Sequence, residues 1–324
     1  MVMAGDEEGG LEKHVIELTN GLKQRGHKLT VIAHEKYLNR VDTDFIAVDL
    51  TKSRRNVFVL YQMYKVLKQL QPDIVHVHGN KAAAIVGRLL SFINIPSVAT
   101  LHSRKKNTKM FRPYDAVIAV SPNAAETLNH KNTHVILNGI IPPKLQSSLI
   151  KPKKKIVLAV GRLVPVKGFD VLLNAWKNVQ DAELWIVGDG FEEHKLRDLI
   201  GLLNLNDSVQ MLGYRSDVVE LMQQATIYVM SSHYEGCPYT MIEALLCEVP
   251  MVSTSVGAMT MVLPKKYLIP PNDAESLGHC LNECLKNLEQ MQSDYQRVFA
   301  YAKQNLVLDG MIDKIEKTYR SVKS

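Results

Sequence analysis

The chain has 324 residues, enough for about two domains. Its composition, 46% hydrophobic and 22% charged, is that of an ordinary globular protein, and no apolar run approaches the roughly 18 residues of a membrane span. The net charge of +6 is uneven: residues 1–150 carry 20 Lys and Arg against 12 Asp and Glu, the remaining 174 carry 19 against 21, so a basic first half suits either an anionic surface or acceptor, or a solvated face with no partner.

The first ten residues are acidic and contain glycine, so no signal peptide is expected in them. Met1–Ala4 reads as a strand stub, and a loop with Gly9 and Gly10 follows. Such a loop can lay its N–H groups against phosphate, although two glycines alone are a weak signal. The G-x-G-x-x-G fingerprint is missing there, which counts against a nicotinamide dehydrogenase. A helix runs through Lys13–Leu22 with apolar residues at 15, 18 and 22, and Gly26 ends it. Lys28–Ala33 is the next strand, Arg54–Leu70 a helix, and Asp73–His78 a strand after Pro72. Further strands are expected at Ser97–Leu101, Ala116–Val120 and His134–Leu137. Short apolar strands alternating with helices predict a parallel sheet covered on both faces.

His76 and His78 alternate along their strand and share a side. No third ligand is spaced to complete a metal site with them, so they read as polar strand-end residues. His102 ends the next apolar strand and suits either a functional position or a satisfied core histidine. The Arg54–Leu70 helix carries Val57, Phe58, Leu60, Tyr61 and Tyr64, and Arg104-Lys105-Lys106 with Lys109 and Arg112 forms a basic loop. Together they suit a peripheral membrane face on anionic lipid, or a core-packing helix beside a solvated loop.

The second half repeats the plan after a charged linker, Lys151-Pro152-Lys153-Lys154-Lys155. Strands are expected at Ile156–Val160, Glu183–Val187, Val209–Leu212, Ile227–Met230, Met251–Thr254 and Tyr267–Ile269. Helices are expected at Phe169–Val179, Phe191–Leu203, Val218–Gln224, Ala274–Met291, Asp294–Asn305 and Asp309–Val322. The first strand ends in Gly161-Arg162 and is followed by Lys167-Gly168, so a guanidinium fork and a point charge can meet one diphosphate. Two surface cations flanking a turn give the same pattern. Gly188-Asp189-Gly190 ends another strand, where glycines permit a tight turn and close ligand approach. Gly213-Tyr214-Arg215 is a similar strand end, where backbone groups can meet a base.

The most informative segment is Glu235-Gly236-Cys237-Pro238-Tyr239-Thr240-Met241-Ile242-Glu243. Pro238 suits the first turn of a helix, which puts Glu235 on the preceding loop and Glu243 about one turn in. The N–H groups of Tyr239 and Thr240 make the helix start attractive to an anion. Two carboxylates for hydroxyls and a cradle for phosphate are what a nucleotide sugar needs. Cys237, Cys247, Cys280 and Cys284 show no zinc or disulfide spacing and read as buried free thiols of a reducing compartment.

Taken together these motifs resemble the retaining glycosyltransferases of the GT-B fold, family 4 (glycosyl transferases group 1). The resemblance covers nearly the whole chain and rests on an ordered series: the Gly-Gly loop with Glu12 after it, Pro72-Asp73-Ile74-Val75-His76-Val77-His78, His102, Val120-Ser121, Asn138-Gly139, Gly161-Arg162 with Lys167-Gly168, Gly188-Asp189-Gly190, and Glu235 with Glu243. It implies an α/β protein of two Rossmann-like doubly wound domains facing a central cleft. Residues 1–148 would bind the acceptor, residues 149–307 the donor, and a helix at 308–324 would pack back on the first domain. Glu243 would bind ribose hydroxyls, Arg162 and Lys167 would neutralise the diphosphate, and Tyr239 and Thr240 would add backbone N–H groups. Glu235 would hold donor-sugar hydroxyls or stabilise the oxocarbenium charge, and His102 would contact the donor sugar from the opposite domain. Gly9, Gly10, Gly188 and Tyr214 complete the expected donor contacts.

The resemblance further implies a metal-independent enzyme with no cofactor. It would use a nucleoside-diphosphate sugar, UDP-linked, and a lipid-linked or lipopolysaccharide or capsule oligosaccharide acceptor in bacterial surface glycan synthesis. No nucleic-acid partner is expected. The expected location is cytoplasmic, peripheral on the inner face of the membrane. Front-face attack, with the leaving phosphate taking the acceptor's proton, suits the family better than the two-carboxylate route of glycosidases. An inactive nucleotide-sugar-binding subunit and a sugar-nucleotide epimerase on the same plan are the alternatives. Two departures stand out. The first strand has only Met1–Glu8 available, which suggests a clipped strand or a misplaced start and poor pairing. After Val256-Gly257, Ala258-Met259-Thr260-Met261 replaces the family's further Gly and Glu, which puts donor affinity or choice in question.

Overall fold

The computed structural model describes residues 1–4, 10–146 and 152–323. It divides into two compact units, Met1–Ile140 with Leu306–Ser324, and Ile141–Asn305.

The first unit contains β1 (Val2–Met3), α1 (Gly10–Gln24), β2 (Thr30–Ala33), β3 (Asp44–Ala47), α2 (Val57–Leu70), β4 (Val75–His78), α3 (Gly79–Val86), β5 (Ser97–Leu101), β6 (Ala116–Ala119), α4 (Pro122–Ala125) and β7 (Thr133–Val135). Among the described residues its strands form one parallel sheet in the order β3-β2-β1-β4-β5-β6-β7. The two-residue β1 is central and pairs on both sides: Val2 lies opposite Ile32 and Val77, and Met3 opposite His78. This corrects the expectation of poor pairing. A ladder on each edge and burial of both side chains compensate for its length.

Local chemistry sets the helix ends. The Asn56 side chain accepts from the N–H groups of Phe58 and Val59, so α2 begins at Val57 and not at Arg54. It ends where Gln71 turns left-handed before Pro72. Val59, Met63 and Leu67 face the core, whereas Val57, Phe58 and Tyr61 are exposed. Among the elements that escape sequence periodicity are β3 and α3. β3 is an edge strand with exposed ends, and α3 is buried at five successive positions, 82–86, which leaves no polar face to reveal a helix.

The second unit contains β8 (Lys155–Val160), α5 (Phe169–Trp176), β9 (Ala182–Val187), α6 (Glu193–Leu202), β10 (Val209–Gly213), α7 (Val218–Gln224), β11 (Ile227–Met230), α8 (Tyr239–Leu246), β12 (Met251–Thr254), α9 (Met259–Val262), β13 (Leu268–Ile269), α10 (Ala274–Lys286) and α11 (Leu288–Asn305). Its parallel sheet runs β10-β9-β8-β11-β12-β13. The two helices expected over Ala274–Met291 and Asp294–Asn305 are present with their boundary moved: Asp273 caps α10 through the Ser276 N–H, and the chain breaks at Asn287 before α11.

The chain then returns to the first unit. Ile140 bridges Val307, and α12 (Leu308–Lys323) buries Leu308, Met311, Ile312 and Ile315 in one cluster with Leu18, Leu22, Val98 and Ile118. Gly21 of α1 gives Ile312 its space. Arg25 donates to Asp313 (2.5 Å) and Asp309 (3.0 Å) across the same helix pair.

Both sheets share one logic. From the edge inward the chain order falls and then jumps, so each sheet has one point where strand order reverses: between β1 and β4, and between β8 and β11. In open α/β sheets ligands bind outside the carboxyl ends of the strands at that point.

Candidate active site

In the second unit the two strands at the reversal carry the predicted residues. β8 runs out into Gly161 and Arg162, then a single tight turn, Pro165–Lys167. Gly168 follows at φ +62°, and a Cβ there would overlap the Ser231 carbonyl oxygen. The loop after β11 lies directly against this turn. The His233 N–H donates to Val166 O (2.8 Å), and Ser231 Oγ donates to Lys167 O (3.0 Å).

This stitching brings together two charges 68 positions apart. Lys167 Nζ donates to Glu235 Oε1 at 2.6 Å, and Ser232 Oγ donates to the same oxygen at 2.8 Å. Lys167 and Glu235 are 21% and 12% exposed, dry enough for the charge-assisted bond to matter and open enough to meet a ligand. Arg162 is exposed, with no ion pair among the described residues. Neighbouring strand ends are packed glycine to backbone. The Gly161 N–H donates to Val187 O (2.9 Å) and the Gly188 N–H to Gly213 O (2.8 Å). Gly188 sits at φ +137°, where a side chain would run into the Gly161 carbonyl.

After Glu235 the chain enters α8. Pro238 is its N-cap, at φ −70° and ψ 136°, one position earlier than a first-turn proline. No side chain caps this end, so its first-turn N–H groups, with the helix dipole behind them, favour an anion. Glu243 lies on the second turn and is half-buried. Thr240, Glu235 and Glu243 gather around the phenol of Tyr228 on β11. Burial chiefly raises that phenol's pKa, Thr240 bonds to it, and the two carboxylates add to the rise. Burial, then Glu243, pushes the Cys247 thiol up to about 12.

Gly257, at φ +54°, backs onto this loop, and the Ala258 N–H donates to Gly236 O at 2.7 Å. The departing Ala258–Met261 segment therefore begins directly behind Glu235. It buries Met259 and leaves Met261 exposed. Tyr214, 75% exposed, follows the edge strand β10 and is not tied to the Lys167–Glu235 pair.

In the first unit, Gly9 lies outside the described residues, and Gly10 is the exposed first residue of α1. Around its reversal point the structure assembles a group of which the sequence reading had named His78 and His102 but missed His14. His14 of α1, His78 at the end of β4 and His102 after β5 offer ring nitrogens that all lie within 4.8 Å of one another. His14 Nδ1 is 3.0 Å from Asn138 Oδ1, and His78 Nδ1 is 3.3 Å from His102 Nε2. His76 shares the side of His78, as expected, with ring centroids 4.2 Å apart, but its nitrogens are already engaged, Nε2 at 2.7 Å from Thr100 Oγ1 and Nδ1 at 2.6 Å from Tyr319 OH. The expectation that no third histidine is spaced to suit His76 and His78 is thus corrected for His78, which meets His14 and His102 from other elements. The available signal was the position of His14, one helical turn after the Gly-Gly loop on the buried face with Val15 and Leu18. Burial holds these imidazoles neutral. It lowers His14 to about 4 against the Asn138 bond, and carries His78 and His102 well below the usual value with help from neighbouring imidazoles.

Known proteins are similar to this chain in sequence and in fold. Residues 141–304 match the family model of glycosyl transferases group 1, and residues 8–142 match that of glycosyltransferase family 4. An uncharacterized glycosyltransferase of Haemophilus influenzae is 30% identical over 221 residues, 65% of this chain and 58% of that protein. The lipopolysaccharide core biosynthesis glycosyltransferase LpsD of Rhizobium meliloti is 24% identical over 242 residues, 70% of this chain and 70% of that protein. Among solved structures, Anabaena HepE in complex with UDP superposes with a TM-score of 0.83 at 19% identity, covering 99% of this chain and 98% of that one. The same protein is also known with UDP-glucose. With two Rossmann-like parallel sheets of the GT-B kind and a match to both family models, the chain belongs to the glycosyl transferases group 1, glycosyltransferase family 4.

Proposed function

We propose that this chain transfers a sugar from a UDP-type nucleoside diphosphate, with retention at the anomeric carbon, to a lipid-linked or lipopolysaccharide-type oligosaccharide of bacterial surface glycan synthesis. The observation that carries the proposal is the Lys167–Glu235 pair at the strand-order reversal, beside the uncapped start of α8. The UDP and UDP-glucose complexes of HepE and the lipopolysaccharide role in the name of LpsD support the donor and acceptor classes.

The roles follow from the chemistry available. An ammonium has three donors, of which Glu235 takes one, so Lys167 retains two for diphosphate oxygens. Arg162 adds a fork, and the α8 start adds N–H groups. These stabilise the charge that grows on the leaving diphosphate, so no metal is needed there. Glu243 takes the ribose hydroxyls. Glu235 faces the sugar, and its carboxylate, already accepting from Lys167 and Ser232, is a poor nucleophile. That favours front-face substitution. The bond from the anomeric carbon to the phosphate oxygen breaks, the acceptor oxygen bonds on the same face, and the acceptor's proton passes to the leaving phosphate. In the first unit His102, the half-buried member of its cluster, is the group we assign to the reacting sugars.

Titration calorimetry with UDP tests the donor assignment. Glu243→Ala and Lys167→Ala each weaken binding about thirtyfold, the roughly 2 kcal/mol of one charged hydrogen bond. Unchanged affinity in both variants refutes it.

We assign the acceptor's membrane contact to the exposed apolar turn of α2. Val57, Phe58 and Tyr61 are 68%, 78% and 60% exposed, and Lys65 lies over the Tyr61 ring at 5.1 Å. Basic groups rimming an apolar wedge suit anionic headgroups. Among the described residues no helix is long and apolar enough to cross a membrane. In vesicle pelleting the protein binds phosphatidylglycerol vesicles at low salt and releases at high salt, and Phe58→Ser lowers the bound fraction. Binding that ignores salt, or no binding, rejects this face.

A further inference from the structure

We propose that Cys280 and Cys284 form a dithiol site for a trivalent arsenical, which bridges the two sulfurs from the cavity beside β13, α10 and α11 of the second unit.

The pair is built into α10. Residues four apart share a helix face, with Cβ atoms about 5–6 Å apart. Cys280 Sγ and Cys284 Sγ are 3.9 Å apart. A disulfide needs its Cβ atoms within about 3.5–4.5 Å, so an intact helix opposes a direct bond between these sulfurs. A single bridging atom suits the spacing. With bonds of about 2.3 Å, the length of a metal–thiolate bond, it spans sulfurs about 3.5–4 Å apart as its angle opens from about 100° to about 120°. Among the described residues no third histidine, cysteine or carboxylate joins the pair in a ligand cluster. That favours a centre satisfied by two thiolates over a metal ion that takes four donors.

The two thiols differ in a way that orders the reaction. Cys280 is half-buried and donates to Lys266 O at 3.9 Å, so the buried Cys284 turns its S–H to the Cys280 sulfur. That bond draws the pKa of Cys280 down against burial, and together with burial it pushes Cys284 up. Cys280 therefore supplies the first thiolate, at the more open end. S–H groups are weak donors, so little is lost when both protons leave. In the bridging reaction an arsenic–oxygen double bond and two S–H bonds break, and two arsenic–sulfur bonds form. Both protons leave with the oxygen as water, and arsenic remains trivalent.

The cavity receives the third substituent. Its volume, about 680 Å³, is that of a small-molecule site, and Tyr267, Ile269 and Met291 give it an apolar wall beside the sulfurs. An aryl group on arsenic finds cover there. The cavity lies at the edge strand β13, with β12 between it and β11. It shares no residue with the Lys167–Glu235 pair, so the proposal stands or falls independently of the donor assignment.

The test treats the reduced full chain with phenylarsine oxide and reads the intact mass. One phenylarsenic group is retained per chain; 2,3-dimercaptopropanol removes it, and the same thiol concentration of 2-mercaptoethanol does not. Alkylation of the adduct with iodoacetamide in denaturant leaves Cys280 and Cys284 protected and labels Cys237 and Cys247. Cys280→Ser and Cys284→Ser each weaken retention a hundredfold or more, whereas Cys247→Ser leaves it unchanged. No retention, release by the monothiol, full retention in either single variant, or protection of Cys237 or Cys247 in place of the pair overturns the site. The mass and the alkylation pattern of the parent protein decide the matter even where a variant fails to fold.

Discussion

Glu235→Gln lowers turnover about a hundred- to a thousandfold, the range for losing one charge aimed at the transition state, while UDP binds as well as before or better. The split follows from the pair at 2.6 Å. Glutamine preserves volume and an oxygen for the Ser232 hydroxyl, but it frees Lys167 from its counter-ion. The diphosphate then meets an undivided cation, and the sugar loses its carboxylate. Initial rates with labelled donor and calorimetry with UDP read the two halves separately. Because Lys167 and Glu235 share one bond, combining Glu235→Gln with Lys167→Ala gives less than the sum of the two losses. Equal falls in turnover and UDP affinity would demote Glu235 to a ligand contact.

Gly188→Ala disables the second unit without touching a charged group. At φ +137° an L-residue is strained, and its Cβ would penetrate the Gly161 carbonyl, which is backbone and cannot swing aside. Strain and overlap together cost about 3 kcal/mol, or about 6–12 °C in Tm for a unit of this size. UDP affinity falls with it, since Gly161 leads into Arg162. Gly201→Ala is the matched control. It lies near the end of α6 with open space where its Cβ would go, so the melting temperature holds or rises slightly. Equal melting of the Gly188→Ala and parent proteins would mean that the β8 and β9 ends are not packed as described.

Much of this was legible in the sequence, for reasons that are local. Alternation of short apolar runs with amphipathic helices placed most elements, because a helix with a polar face announces its period. Pro238 placed Glu235 on a loop and Glu243 in a helix, because proline restricts its own backbone. Where these local signals are missing, reading fails. α3 is buried at 82–86, a run longer than a helical turn, and Asn56 and Asn287 set helix ends through bonds that composition does not encode. The strand order of either sheet is invisible along the chain, and with it the reason the important residues meet. Lys167 finds Glu235 through 68 intervening positions, and His14 reaches His78 only because β1 lies between β2 and β4. Each sequence motif named one participant, and topology supplied the partner.

The return of the chain at Leu306 has a consequence for synthesis. Ile141–Asn305 is contiguous and has every residue of its core once that stretch has emerged from the ribosome. The first unit is translated earlier yet waits longer. Leu18, Leu22, Val98 and Ile118 lack Leu308, Met311, Ile312 and Ile315 until the last helix appears. The half made first is thus the half completed last, and through most of translation it holds an apolar groove open along α1. Domains ordinarily fold in the order they are made. Here the Val2–Ala124 core can form in that order, and the cluster along α1 is the part that must wait for the chain's return.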